Sequence, residues 1–149
     1  MRLKTIFLMA IPAVLCFIGC QRLPDRPEGM PELTPCIIEV TFGGERQPDV
    51  GVLLKPNSAG NNDSSAWPAG GKTDAEGKAV MMTATHYRGV VPGEYVISFE
   101  KYAPEELRSD GMPLPAKSLL PLKYSQRQST ETVTVTNAQG VYSFVLEAL

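Results

Sequence analysis

Short runs in which large apolar side chains fall on every second position constrain this 149-residue chain more than any other feature. "CIIEVTF" (36–42) puts Ile38, Val40 and Phe42 on one side; "EYVISFE" (94–100) does the same with Tyr95, Ile97 and Phe99; "VYSFVLE" (141–147) with Tyr142, Phe144 and Leu146. Successive side chains of a strand point to opposite faces, so this period is the signature of a half-buried strand. "VGVLLK" (50–55), "KAVMMTA" (78–84) and "ETVTVT" (131–136) complete the set, with Gly, Pro, Asn and Asp between them. No window sustains a helical period of about 3.6 residues through three turns. "APEELR" (103–108) comes nearest: Pro104 and the two acids after it suit the first turn of a helix, and one turn is all it supports. The pattern predicts an all-β, antiparallel sandwich or small barrel of six or seven strands.

The connections divide into short and long. "TDAEGK" (73–78) has turn chemistry, since an Asp side chain accepts hydrogen bonds from backbone just ahead and Gly77 tolerates positive φ. In "VPGEY" (91–95) Pro92 presets one corner and Gly93 is expected to supply positive φ at the next. Both precede strands, so these residues are placed to reverse the backbone. A polar loop over 56–71 holds the only tryptophan, Trp67. The connection over 102–129 contains Pro113, Pro115 and Pro121 and is long for a compact domain. A short additional strand is expected within it, around Ser118–Leu122.

With these residues in view, the pattern Gly71, Thr73, Asp74, Gly77, then Val91, Pro92, Gly93, Tyr95 and Ile97, resembles the carboxypeptidase regulatory-like domain. "LPLKY" (120–124), "ETVTVT" and "VYSFVLEAL" are similar to the closing pattern of small bacterial lipoproteins of that group. The resemblance spans about residues 36–149 and implies a transthyretin-like (prealbumin-like) Greek-key sandwich. It departs at Ala79, where the family carries a larger apolar residue, and at Cys36 and Ile37, where it carries a glycine.

The N-terminus reads as an address. Arg2 and Lys4 precede an apolar run from Ile6 to Ile18, too short to span a bilayer. It ends in "FIGC" (17–20), which resembles a bacterial lipobox, in which the cysteine is lipidated and becomes the first residue. The competing reading, an ordinary cleaved signal peptide, leaves Cys20 without a role. The expected organisation is a signal peptide over 1–19, a lipidated Pro-rich tether over 20–35, and the sandwich domain over 36–149. The tether carries Pro24, Pro27, Pro31 and Pro35 and would extend at about 3 Å per residue. Lipid on Cys20 makes the membrane the expected partner, with palmitate among the attached chains. Gln21 after the cysteine resembles outer-membrane rather than inner-membrane sorting.

Loss of Arg2 and Lys4 with the signal peptide leaves twelve basic against sixteen acidic residues, a formal charge of −4. That balance excludes the basic stripe of a nucleic-acid binder and a polybasic membrane contact.

Residues with chemistry to offer are few. Cys36 has no internal disulfide partner once Cys16 is removed and Cys20 lipidated; it is either a reactive thiol or a small buried apolar residue, and the start of a strand favours the second. His86 is the only histidine, so a catalytic pair needs Ser98 or Cys36 beside it, and a zinc site from one histidine would be unusual. "HYRG" (86–89) resembles the closing tetrad of transthyretin-related hydroxyisourate hydrolases, but it lies mid-chain without the further histidines such a site uses. "NSAGNNDSS" (57–65) offers one carboxylate, Asp63, which is poor provision for calcium. Trp67 either closes one end of the core or stands out as a stacking surface for a sugar or peptide. Met81, Met82 and Met112 read as core or edge filler. No cofactor is expected. The function these features imply is a non-enzymatic, lipid-anchored envelope module with a structural or adhesive role. The alternative is a module binding envelope polysaccharide or peptide, or another envelope protein, through Trp67 and the 102–129 loop.

Overall fold

A computed structural model of the chain describes residues 25–57 and 67–147. Among the described residues, seven strands have three or more residues: β1 (Ile37–Phe42), β3 (Gly51–Pro56), β4 (Ala69–Lys72), β5 (Lys78–Val80), β8 (Gly93–Glu100), β9 (Thr132–Val135) and β10 (Val141–Leu146). Three have two: β2 (Glu45–Arg46), β6 (Met82–Thr83) and β7 (Tyr87–Arg88). They form two sheets. One runs β7-β6-β4-β3-β8-β9; the other is centred on β1, with β10 along one side and β5 and β2 in succession along the other. The expected all-β sandwich is therefore present, and every strand pairing is antiparallel but one. β1 and β10 run parallel through six consecutive pairs, from Ile37 opposite Val141 to Phe42 opposite Leu146.

The alternation places the core as expected. Ile38 and Val40 of β1, Leu54 of β3, and Tyr95 and Ile97 of β8 are wholly buried, and Phe99, Val133, Val135, Tyr142 and Leu146 nearly so. Each such side chain contributes roughly 1.5–3 kcal/mol by leaving water. Phe99 stands edge-on to Tyr124 (ring centroids 6.2 Å apart) and tilted against Phe144 (5.4 Å), joining β8 to β10 across the sandwich.

Ala79 packs directly beside Gly71. A Cβ built on Gly71 would lie 3.4 Å from the Ala79 Cβ and 2.9 Å from the Val80 carbonyl oxygen. β4 and β5 thus approach too closely here for a side chain at position 71.

Several expectations need correction. "KAVMMTA" is two strands, because the chain crosses between sheets at buried Met81, whose N–H donates to the Cys36 carbonyl and whose carbonyl accepts from Gly89. Ser118–Leu122 is not a strand: Ser118 makes one bridge to Tyr102, and Leu122–Tyr124 is a 3-10 turn. "APEELR" is extended, paired across a ribbon instead of coiled into a helical turn. Met112 is 63% exposed and fills no core. Gly93 does take the expected positive φ, at 159° near the extended limit, and opens β8 opposite Val135.

Part of the proline-rich stretch is docked on the sandwich. Met30 and Thr34 are buried, and Thr34 and Val90 exchange both backbone hydrogen bonds at 2.9 Å. Residues 20–24 of the expected tether, and the signal peptide, lie outside the described residues.

Candidate functional site

The residues that the sequence singles out most strongly are occupied by backbone. Asp74 accepts from the Glu76 and Lys78 N–H groups at 3.0 and 2.9 Å through Oδ1, while its own carbonyl accepts from Gly77. Gly77 sits at φ 72°, and a Cβ there would lie 2.8 Å from the Val40 carbonyl oxygen. Buried Thr73 accepts the Val50 N–H at 2.8 Å and donates to the Gln47 carbonyl at 2.7 Å, tying this turn to the β2–β3 connection. Tyr95 closes the second turn, donating its hydroxyl to the Val91 carbonyl at 2.7 Å in a fully buried position.

The chemical candidates differ in exposure. His86 is exposed on the turn between β6 and β7, whereas Cys36 and Ser98 are buried. Burial pushes the Cys36 thiol up to about 11, so at neutral pH it is protonated and a poor nucleophile. Among the described residues no group of three or more His, Cys, Asp or Glu side chains is placed to hold a metal. Tyr87-Arg88-Gly89 has an architectural use: a Cβ on Gly89 (φ 108°) would lie 2.7 Å from the Thr34 carbonyl oxygen, so glycine lets the N-terminal segment dock.

That docking builds a cleft of about 600 Å³ lined by Arg26, Glu32, Leu33, Met82, His86, Tyr87 and Arg88. Leu33 and Met82 are half-buried, while both arginines and Glu32 are exposed. The Tyr87 hydroxyl donates to the Asp25 carbonyl at 2.8 Å, and Arg26 donates to the Pro31 carbonyl. Sequence reading missed this site because its two halves are some fifty positions apart, and "HYRG" in one half pointed to a different chemistry.

The second surface feature is an arm over residues 101–119. Its base is laddered by Leu119 N–H to Lys101 carbonyl (2.8 Å) and Ala103 N–H to Lys117 carbonyl (2.9 Å). Its outer part is laddered by Leu114 N–H to Glu106 carbonyl (2.8 Å) and Arg108 N–H to Met112 carbonyl (2.7 Å). Pro104 and Pro115 have no N–H to give, and between them the ribbon opens around a cleft of about 610 Å³. Near the tip Leu107 is 64% exposed.

Trp67 is half-buried just before β4. It is not brought to the arm. Ala69 pairs with Leu54 at one end of the larger sheet, while the arm leaves β8 beyond Glu100, opposite Gly51, at the other. Cys20 lies outside the described residues, as does most of the 57–65 loop; Asn57 donates its N–H to the Glu94 carbonyl. Among the described residues no helix is long and apolar enough to cross a membrane.

Neither the family models nor the curated proteins contain a match. Among solved structures, the major pilin subunit BcpA of Bacillus cereus and a variant of it are similar. The variant is 18% identical with a TM-score of 0.40, and the parent 16% identical with 0.36. In each case 77% of this chain is covered, and it spans only 30% of the pilin chain. Likeness at that level carries no functional information. The class that the fold itself defines is a two-sheet β-sandwich with one parallel seam.

Proposed function

We propose that this protein is a non-enzymatic, lipid-anchored β-sandwich module of the bacterial cell envelope, of the carboxypeptidase regulatory-like type, with a structural or adhesive role. The observation that carries the reading is the use made of the motif residues. Thr73, Asp74, Gly77 and Tyr95 each fix a turn, and the reactive side chains Cys36 and His86 are respectively buried and exposed on a turn. The lipobox-like "FIGC" supplies the anchor at Cys20, and Gln21 favours the outer membrane. Several acyl chains hold firmly where one holds weakly, since each buried methylene contributes about 0.8 kcal/mol. Radiolabelled palmitate should enter the wild-type chain and be absent from Cys20→Ser; equal labelling of the two refutes the anchor.

A second reading, a binding module for envelope polysaccharide or peptide, draws support from the arm, whose Leu107 and Met112 are largely exposed. Trp67 is too buried to present a full stacking face, so the arm carries this reading. Binding of a glycan or peptide panel that is abolished by Leu107→Glu with Met112→Glu supports it; binding left intact by that pair does not.

A further inference from the structure

We propose that the cleft between the N-terminal segment and the β6–β7 hairpin lies against the bilayer that anchors Cys20 and seats phospholipid headgroups. The inference rests on the lipid anchor proposed above and adds an orientation and a contact to it.

The first argument is reach. Asp25 is already tied to the domain through the Tyr87 hydroxyl, and the chain beyond it is docked by Met30 and Thr34. Five peptide steps separate Asp25 from Cys20, and they span at most about 18 Å fully extended. A sixteen-residue tether over 20–35 would allow the domain to stand well clear of the lipid; docking of residues 25–34 removes most of that length. The edge carrying Tyr87 is therefore the part of the domain nearest the membrane.

The second argument is the chemistry of that edge. The guanidinium groups of Arg26 and Arg88 stand at the rim of the cleft, and their forked donors suit phosphate oxygens. Glu32 beside them offers a carboxylate to the amine of a zwitterionic headgroup, and half-buried Leu33 and Met82 provide an apolar floor for glycerol carbons. A tyrosine at this level is the side chain favoured at membrane interfaces. A formal charge of −4 after signal removal rules out long-range attraction to anionic lipid, so proximity is imposed by the covalent anchor and the cleft acts at short range. The arm leaves from the other end of the larger sheet and remains free.

The test uses the full chain purified from membranes, its N-terminal lipid verified by mass. Fluorophores are placed at Ala84→Cys, on the turn beside the cleft, or at Asp110→Cys, on the arm tip. The protein is reconstituted into phosphatidylethanolamine–phosphatidylglycerol vesicles carrying headgroup nitroxide. Loss of most fluorescence at position 84 and none at 110 is expected. Equal quenching at both positions in a lipidated chain overturns the inference and leaves the anchor standing; a chain without lipid overturns the anchor, and with it the reach argument. A flexible insert after Gln21 separates reach from recognition. Quenching at 84 should survive the insert and disappear when Arg26→Glu and Arg88→Glu are added. Its disappearance with the insert alone overturns headgroup binding.

Discussion

Four of the five tyrosines spend their hydroxyls on backbone. Tyr95 holds the Val91 carbonyl; Tyr142 donates to Gln139 and accepts from Thr136 across the β9–β10 turn; Tyr124 accepts from Glu147; Tyr87 holds Asp25. A buried carbonyl left without its donor costs about 1–3 kcal/mol. Tyr95→Phe should therefore lower stability by that amount in urea titration, whereas Tyr87→Phe, at an exposed bond, should change it little. The Cys36 thiol supplies a second expectation at this scale. Its folded value of about 11 lies above the ordinary 9.0 because burial disfavours the thiolate. Its contribution is fully present below pH 9 and is lost as pH rises towards 11, by at most about 2 kcal/mol once screening is allowed for. Stability measured from pH 8 to 11 should fall more steeply in wild type than in Cys36→Ala. The native thiol should also resist thiol reagents until the chain is unfolded.

Elements were legible in the sequence wherever their apolar period was self-contained. β1, β3, β8, β9 and β10 lie within a residue or two of where alternation placed them, because each buries its own face. β4 was not legible. "AGGK" has little strand propensity and is extended because β3 and β6 pair with it on both sides. The 103–108 stretch misled for the converse reason: Pro104 and its acids favour a helix start locally, but pairing with 112–117 decides the outcome. The cleft beside β7 was illegible because it exists only where the N-terminal segment meets that strand. Two element-scale expectations follow from this. Gly89→Ala should displace the N-terminal segment, since the added methyl meets backbone at 2.7 Å, and should expose residues 25–35 to limited proteolysis while the sandwich persists. Replacing 104–116 by a short turn should leave the melting temperature nearly unchanged, because those residues bury nothing and a shorter loop closes at a lower entropic cost.

At the scale of the whole molecule, the sandwich is closed by its first and last strands. β1 finds β10 about a hundred positions away, and its other neighbours come from β2 and β5. Pairing at such separation must overcome loop-closure entropy before it is rewarded, so refolding should take milliseconds to seconds rather than microseconds. Stopped-flow refolding followed through Trp67 measures this. A chain ending before Val141 should fail to fold, because β1 loses its longest ladder and the core loses Tyr142 and Leu146.

The parallel seam has a mechanical consequence. Because β1 and β10 run the same way, residue 37 and residue 146 lie at opposite ends of their shared ladder. Tension drawn between an anchored front and a load gripped behind β10 would first peel the docked segment from β7, then pull along the seam rather than across it. All six registered pairs would resist together instead of parting one at a time, the geometry in which a small sheet withstands the most force.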